Sequence, residues 1–251
     1  SGYEEAAAQG LVAGINAKHY LDNSDPLILN RDEAYIGVLI DDLITKDTDE
    51  PYRMFTSRAE FRILLRFSNA HARLINKSTK HNLLSKKRVD KIKSVMRLIG
   101  EYKLSLEEKT EPNEINAVLE NAKETAVSSK KSYKEILKRP NITIDMIDKM
   151  INHDINIDKT NKVFIKEVLI EVEAGVKYEG YIERQQKEIN KLKKSEHIKI
   201  PKTFDYMNIK SISNEGKDKL TKIRPENLGQ AMRISGITPA DISVLSIMLI
   251  K

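Results

Sequence analysis

Residues 160–196, TNKVFIKEVLIEVEAGVKYEGYIERQQKEINKLKKSE, decide the fold class. Val163, Val168, Ile170, Val172, Val176, Ile182, Ile189 and Leu192 recur at helical spacing, and the positions between them carry mostly Lys, Glu, Arg and Gln. That is the pattern of amphipathic helix, not of a strand with its period of two. Gly175 and Gly180 lie inside the run as bends or breaks, so the spacing predicts two helices meeting near Tyr178.

The same period extends toward both ends. Residues 4–19 place acids in a first helical turn ahead of an Ala-rich body, with Gly10 and Gly14 thinning one face for tight packing. A helix is expected over 32–45, a second over 56–66, and a third from Lys86 to about Gly100, capped by Ser85, with Val89, Ile92, Val95, Met96 and Ile99 as its buried stripe. Pro112 and Thr143 each mark the start of a short helix. In the tail, Ser213 caps a helix through Ile223, Pro225 opens another through Met232, and Thr238 with Pro239 starts the last, ending at Leu249. The expected fold is all-α: a helical bundle with a small C-terminal helical subdomain. The expected division is 1–76, 77–202 and 203–251.

Composition narrows the chemistry. The 251 residues hold no Cys, which removes disulfides, thiolate catalysis and Cys-based metal sites. Neither GxGxxG nor GxxxxGK occurs, so no dinucleotide fingerprint or phosphate loop can be claimed. The five histidines are scattered with no ligand spacing, which argues against a metal site. No apolar run approaches the ~20 residues of a membrane span, and the expected setting is cytoplasmic. Lys and Arg number 43 against 37 Asp and Glu, a net charge of +6 that permits attraction to a polyanion without requiring it.

Two basic stretches are candidates for such an attraction. In EPYRMFTSRAEFRILLR, residues 50–66, Arg58, Arg62 and Arg66 fall four apart, which on a helix gives one stripe of guanidiniums suited to phosphates. Neutralisation by Glu60 and the helix caps is the alternative, and spacing does not choose between them. Residues 77–93, KSTKHNLLSKKRVDKIK, carry seven cations against one acid, including Lys86, Lys87 and Arg88; this is either a solvated helix face or one that tracks an RNA backbone. The last helix, DISVLSIMLIK, is more apolar than one narrow stripe requires, so part of it is expected to face another protein.

Five blocks in order, SGYEEAAAQGLVAGINA, RDEAYIGVLIDDLITKDTDEPYRMFTSRAEFRILLR, YEGYIERQQKEINKL, IPKTFDY and KIRPENLGQAMRISGITPADIS, resemble the GidA/MnmG family. The chain departs from the family pattern at FSNAH, residues 67–71, where an acidic QDNAD is usual, and it matches no block over about 103–161. The resemblance implies an enzyme that adds an aminomethyl or carboxymethylaminomethyl group to C5 of the tRNA wobble uridine. Such an enzyme uses FAD and NADH, works as a homodimer and partners the GTPase MnmE. It further implies that this chain holds the C-terminal helical part, is not catalytic alone and binds no cofactor by itself. By the same resemblance Gly2, Tyr3 and Glu4 lie near the flavin of the whole enzyme, and Arg31, Lys46, Arg53, Arg58, Arg62 and Arg66 contact tRNA. MnmE engages the tail, with Arg224, Gln230, Arg233, Ile234, Ile237, Ile242 and Leu245 as its contacts. A helical scaffold without RNA binding is the competing expectation.

Overall fold

The computed structural model describes residues 2–45, 52–151 and 162–250. Lys46 and His153 lie outside the described residues, as does the upstream end of the arginine segment. Twelve α-helices are described, and the one sheet among the described residues is a two-stranded antiparallel pair, Lys109–Thr110 with Lys131–Ser132. The chain divides into two compact units, 1–65 with 184–251, and 66–183. The cut expected between 76 and 77 falls inside helix α3 (Ala70–Lys80), and the one at 202/203 falls within the first unit.

The first unit begins with α1 (Tyr3–Leu21), which has no fully buried residue. Cβ atoms built at Gly10 and Gly14 would meet nothing within 4 Å, so the tight packing expected of that face is not made by the described residues. Helix α2 (Tyr35–Thr45) is the opposite case, with Gly37, Val38, Leu39, Asp42 and Thr45 buried. A Cβ on Gly37 would stand 2.3 Å from the carbonyl oxygen of Asn30, so only glycine lets this helix come that close to the preceding loop. Val38 packs with Ala59, Phe61, Leu65 and Ile189, the last carried by α9 (Glu179–His197).

The tail forms its own core. Helices α10 (Asn214–Ile223), α11 (Leu228–Arg233) and α12 (Pro239–Ile250) close over Ile200, Tyr206, Ile209, Ile212, Leu220, Leu228, Ala231, Ile234 and Leu245. Ser213 caps α10 as expected, accepting from the Gly216 amide at 3.0 Å. Arg224, left-handed at φ 53°, ends that helix. The next helix starts at Leu228 and not at Pro225, because the Asn227 side chain accepts from the Gln230 amide at 2.9 Å and fixes the first turn there. Asp241 is almost wholly buried and accepts from the amides of Ser213 (2.8 Å) and Thr238 (2.9 Å) and from both hydroxyls. Burial alone would raise its pKa, but these four donors outweigh burial and hold the carboxyl below the usual range. One side chain thus ties the start of α10 to the start of α12.

The second unit is built on α4 (Lys86–Ser105) and α8 (Lys162–Lys177). Between them lie α5 (Pro112–Asn121), α6 (Tyr133–Leu137) and α7 (Ile144–Ile147). Tyr102, Leu106, Ile115, Leu119, Ile136, Leu137, Ile142, Ile147, Val168 and Val172 are wholly enclosed. Helix α4 runs past Gly100, and its buried stripe includes Leu98 and Tyr102, whereas Met96, expected inside, is exposed. The break near Tyr178 is as expected: α8 ends at Lys177 and α9 begins at Glu179.

Candidate nucleic-acid interface

Residues 56–66 are not a helix, which changes how their arginines are presented. A 3-10 turn covers Thr56–Arg58, Ala59 is extended at φ −93° and ψ 117°, and turns follow to Leu65. Tertiary bonds compete for the backbone groups a helix would use. Arg31 donates to the Arg58 carbonyl at 3.4 Å, Gln185 donates to the Glu60 carbonyl at 3.3 Å, and Leu64 N–H donates back to Gln185 at 3.3 Å. Ala59, Phe61 and Leu65 are drawn into the core. Arg58, Arg62 and Arg66 therefore do not share one stripe.

Arg31 is the hub. Its guanidinium is 7 % exposed and donates from Nε and Nη2 to Glu60 (3.1 and 2.6 Å) and from Nη1 to Asp42 (2.6 Å), Asp41 (3.0 Å) and the Val38 carbonyl (3.3 Å). Burial opposes its charge, but Glu60 and Asp42 more than compensate and hold its pKa above the ordinary guanidinium value. With every donor nitrogen engaged inside the protein, Arg31 has no face for a phosphate, contrary to the expectation that it contacts tRNA. Asp41 is shared. Arg233 grips it bidentately at 2.8 and 3.0 Å and reaches Glu196 at 3.0 Å, so Arg233 also braces the interior and does not stand ready for a partner.

Asp42, with no exposed surface, also accepts from the Tyr52 hydroxyl at 2.8 Å. Burial, then that carboxylate, pushes the Tyr52 phenol far above its usual pKa, so it stays protonated and goes on donating. The face of the Tyr52 ring carries the Arg58 guanidinium at 4.6 Å, and Arg58 Nη1 stands 3.9 Å from Asp42. Arg58 is thereby held in place while 38 % of its side chain stays exposed. Arg53 and Arg62 are exposed, and Arg62 makes no ion pair with any described residue. In the second unit Arg66 is committed to Glu171, which also accepts from Ser68 at 2.8 Å. Lys86, Lys87 and Arg88 are exposed on the first turn of α4.

At the tail, Ile234 and Leu245 belong to the core and Ile237 and Ile242 pack against it, so the first two cannot meet a partner. Among the described side chains, the apolar surplus expected of the last helix reduces to Ile247 and Met248, with Met232 of α11 also exposed. Arg224 is exposed, donates to the Phe204 carbonyl at 2.9 Å and lies over Tyr206; Gln230 is half-buried and accepts from the Glu226 amide at 2.7 Å. At the start of α1, Tyr3 and Glu4 are exposed and Gly2 is half-buried. The Glu5 carboxylate is held below the usual range: burial works against that, but the Met54 and N-terminal amides prevail. Those amides are therefore answered from within the helix. No group of three metal-ligating side chains occurs among the described residues, and no helix among them is long and apolar enough to cross a membrane.

The sequence reading weighed Glu60 as a neutralising acid, but Asp41 and Asp42 were missed. Asp42 falls in the buried stripe of Val38, Leu39 and Thr45 on α2, and a carboxylate in register with an apolar stripe was the available signal that a buried cation answers it.

A mostly helical chain of two units, with its arginine segment set on a buried carboxylate cluster and a capped three-helix tail, defines the class: an all-α helical region. The comparisons name the family. Three family models match in sequence order: glucose inhibited division protein A over residues 1–25, the MnmG/GidA C-terminal helical domain over 83–186, and the MnmG/GidA C-terminal helical bundle over 188–251. The tRNA uridine 5-carboxymethylaminomethyl modification enzyme MnmG of Flavobacterium psychrophilum is 47 % identical over 253 aligned residues, covering 99 % of this chain and 40 % of that protein. The enzyme of the same name from Lachnoclostridium phytofermentans is 43 % identical over 251, covering 99 % and 39 %. Aquifex aeolicus GidA, in its form II crystal, superposes with a TM-score of 0.81 at 40 % identity, covering all of this chain and 38 % of that one. The chain belongs to the MnmG/GidA family and corresponds to its C-terminal helical region, spanning about two fifths of the length of these relatives.

Replacing Arg31 by Met takes the buried cation from Asp42, with only the partly exposed Arg58 left 3.9 Å away, while Asp41 keeps Arg233. In urea titrations this is expected to cost the first unit about 3–5 kcal/mol, whereas Arg62→Ala should stay within about 0.5 kcal/mol of the parent.

Proposed function

We propose that this chain is the tRNA- and MnmE-binding portion of an enzyme that installs the (carboxymethyl)aminomethyl group at C5 of the wobble uridine. In this reading, FAD and NADH are handled by the remainder of the enzyme, which works in the cytoplasm as a homodimer. The chain alone neither catalyses the reaction nor retains the flavin. Gly2, Tyr3 and Glu4 border the flavin in the whole enzyme. The positive end of α1 suits an electron-rich ring, although Glu5 would have to yield the amides it now occupies.

One observation carries the RNA part: Arg53, Arg58 and Arg62 are displayed on an irregular segment whose backbone is fixed from beneath by Arg31, Asp42 and Tyr52. Exposed guanidiniums on a braced support bind phosphates with little ordering cost. In the second unit, Lys86, Lys87 and Arg88 are exposed on α4 and keep their proposed tRNA role on their charge. Lys46 keeps its proposed tRNA role on the resemblance alone. Arg66 serves mainly through Glu171, as a support within the second unit. For MnmE, the supporting observation is that the compact tail leaves Ile247 and Met248 of α12, and Met232 and Arg224, exposed.

Two measurements test this reading. Filter binding of tRNA at two salt concentrations should show the slope of log affinity against log salt flattening by roughly 2–3 when Arg53, Arg58 and Arg62 are changed together to Ala. An unchanged affinity and slope, with the helical content intact, would favour the scaffold reading; retention of stoichiometric FAD by the purified chain would contradict the assignment of the cofactor to the rest of the enzyme. In titrations against purified MnmE, Met248→Asp with Ile247→Asp should weaken binding by about tenfold or more, through apolar contacts of roughly 1.5 kcal/mol or more each. Full affinity in that double variant would move the docking surface elsewhere.

A further inference from the structure

Among the arginines of the first unit sits an aromatic ring whose exposure the fold does not require. Phe55 is 53 % exposed, whereas Phe61, six residues on, is inside. Its backbone is extended at φ −87° and ψ 146°, and its carbonyl accepts from the Arg58 amide at 2.9 Å, so the ring is carried at the entrance of the 3-10 turn. The Arg53 guanidinium carbon lies 5.9 Å from the ring centroid. Tyr52 also carries an arginine over its face, Arg58 at 4.6 Å, but it differs in being buried with its hydroxyl given to Asp42.

A single exposed ring is ordinary on a protein surface; what singles out Phe55 for a use outside the fold is the guanidinium beside it and the exposed arginines of its segment. The company it keeps defines that use. Guanidiniums answer phosphates, and an aromatic face answers the face of a base that is not already stacked in a duplex. A protein partner would be met by apolar neighbours, but the exposed sequence neighbours of Phe55 are Arg53, Thr56 and Ser57. We propose that Phe55 is a stacking platform for an unpaired base of an RNA loop, with Arg53, Arg58 and Arg62 holding the phosphates around it. This rests on the tRNA reading above and adds to it a residue: the side chain that takes a free base of the loop, where the arginines answer only charge.

The test uses the whole 251-residue chain and two fluorescent RNAs of equal length and charge, one a stem with an open anticodon-type loop and one a continuous duplex. Wild type should prefer the loop. Phe55→Ala should weaken loop binding by about 5- to 100-fold while leaving duplex affinity and the salt slope as they were, because no phosphate contact is removed. Phe55→Trp should restore the loop preference. Arg62→Ala should flatten the slope for both RNAs. The proposal is overturned if Phe55→Ala binds the loop as tightly as wild type, or if it loses loop and duplex equally, which would assign the ring to local structure. A wild type that binds neither RNA would instead overturn the tRNA reading, and this proposal with it.

Discussion

A carboxylate with no exposed surface needs partners, and the first unit is organised around the partners of Asp42. Arg31 and Tyr52 both donate to it, and Arg31 goes on to Asp41, Glu60 and the carbonyls of Val38 and Arg58. Asp41 in turn receives Arg233 from a helix nearly two hundred residues later in the chain. A buried charge cluster is weak evidence for stability compared with apolar packing, but removing one member leaves the others uncompensated in a medium that cannot solvate them. The cluster therefore specifies one arrangement of α2, the arginine segment, α9 and α11.

That specificity divides the arginines by role. Arg31, Arg66 and Arg233 are used up inside the protein, while Arg53 and Arg62 reach solvent and Arg58 does both, lying on Tyr52 with more than a third of its side chain exposed. An irregular segment shows cations in several directions, whereas a helical stripe would show them along one line. A folded RNA loop presents phosphates along a curved path, for which such a display is better suited.

Much of the fold was legible in the sequence, since helices need only a period and a cap. The run over 160–196 gave both the helices and their break at Tyr178, and Ser213, Pro112 and Thr238 marked the starts of α10, α5 and α12. The arginine segment was misread because its local pattern does suit a helix, and what overrides it lies far away in sequence: Arg31 on the Arg58 carbonyl and Gln185 on Leu64. The same distance hid the difference between displayed and committed arginines, for a spacing rule sees cations and not the acids that meet them. Ile234 and Leu245 were misplaced for a related reason. In a subdomain as small as the tail, most apolar positions are needed for its own core, and among the described residues of α12 Ile247 and Met248 are the large apolar ones left exposed.

The account stands on the buried carboxylate holding the arginine segment in its non-helical form, and amide hydrogen exchange reads this most directly. In Asp42→Ala, the amides of Arg58 and Ala59, which bond to Phe55 and Thr56, should exchange about a hundredfold faster or more than in wild type. Those of α4 and α8 should keep their protection. Unchanged exchange at Arg58 and Ala59 in that variant would mean the segment holds its shape without Asp42 and would contradict the account.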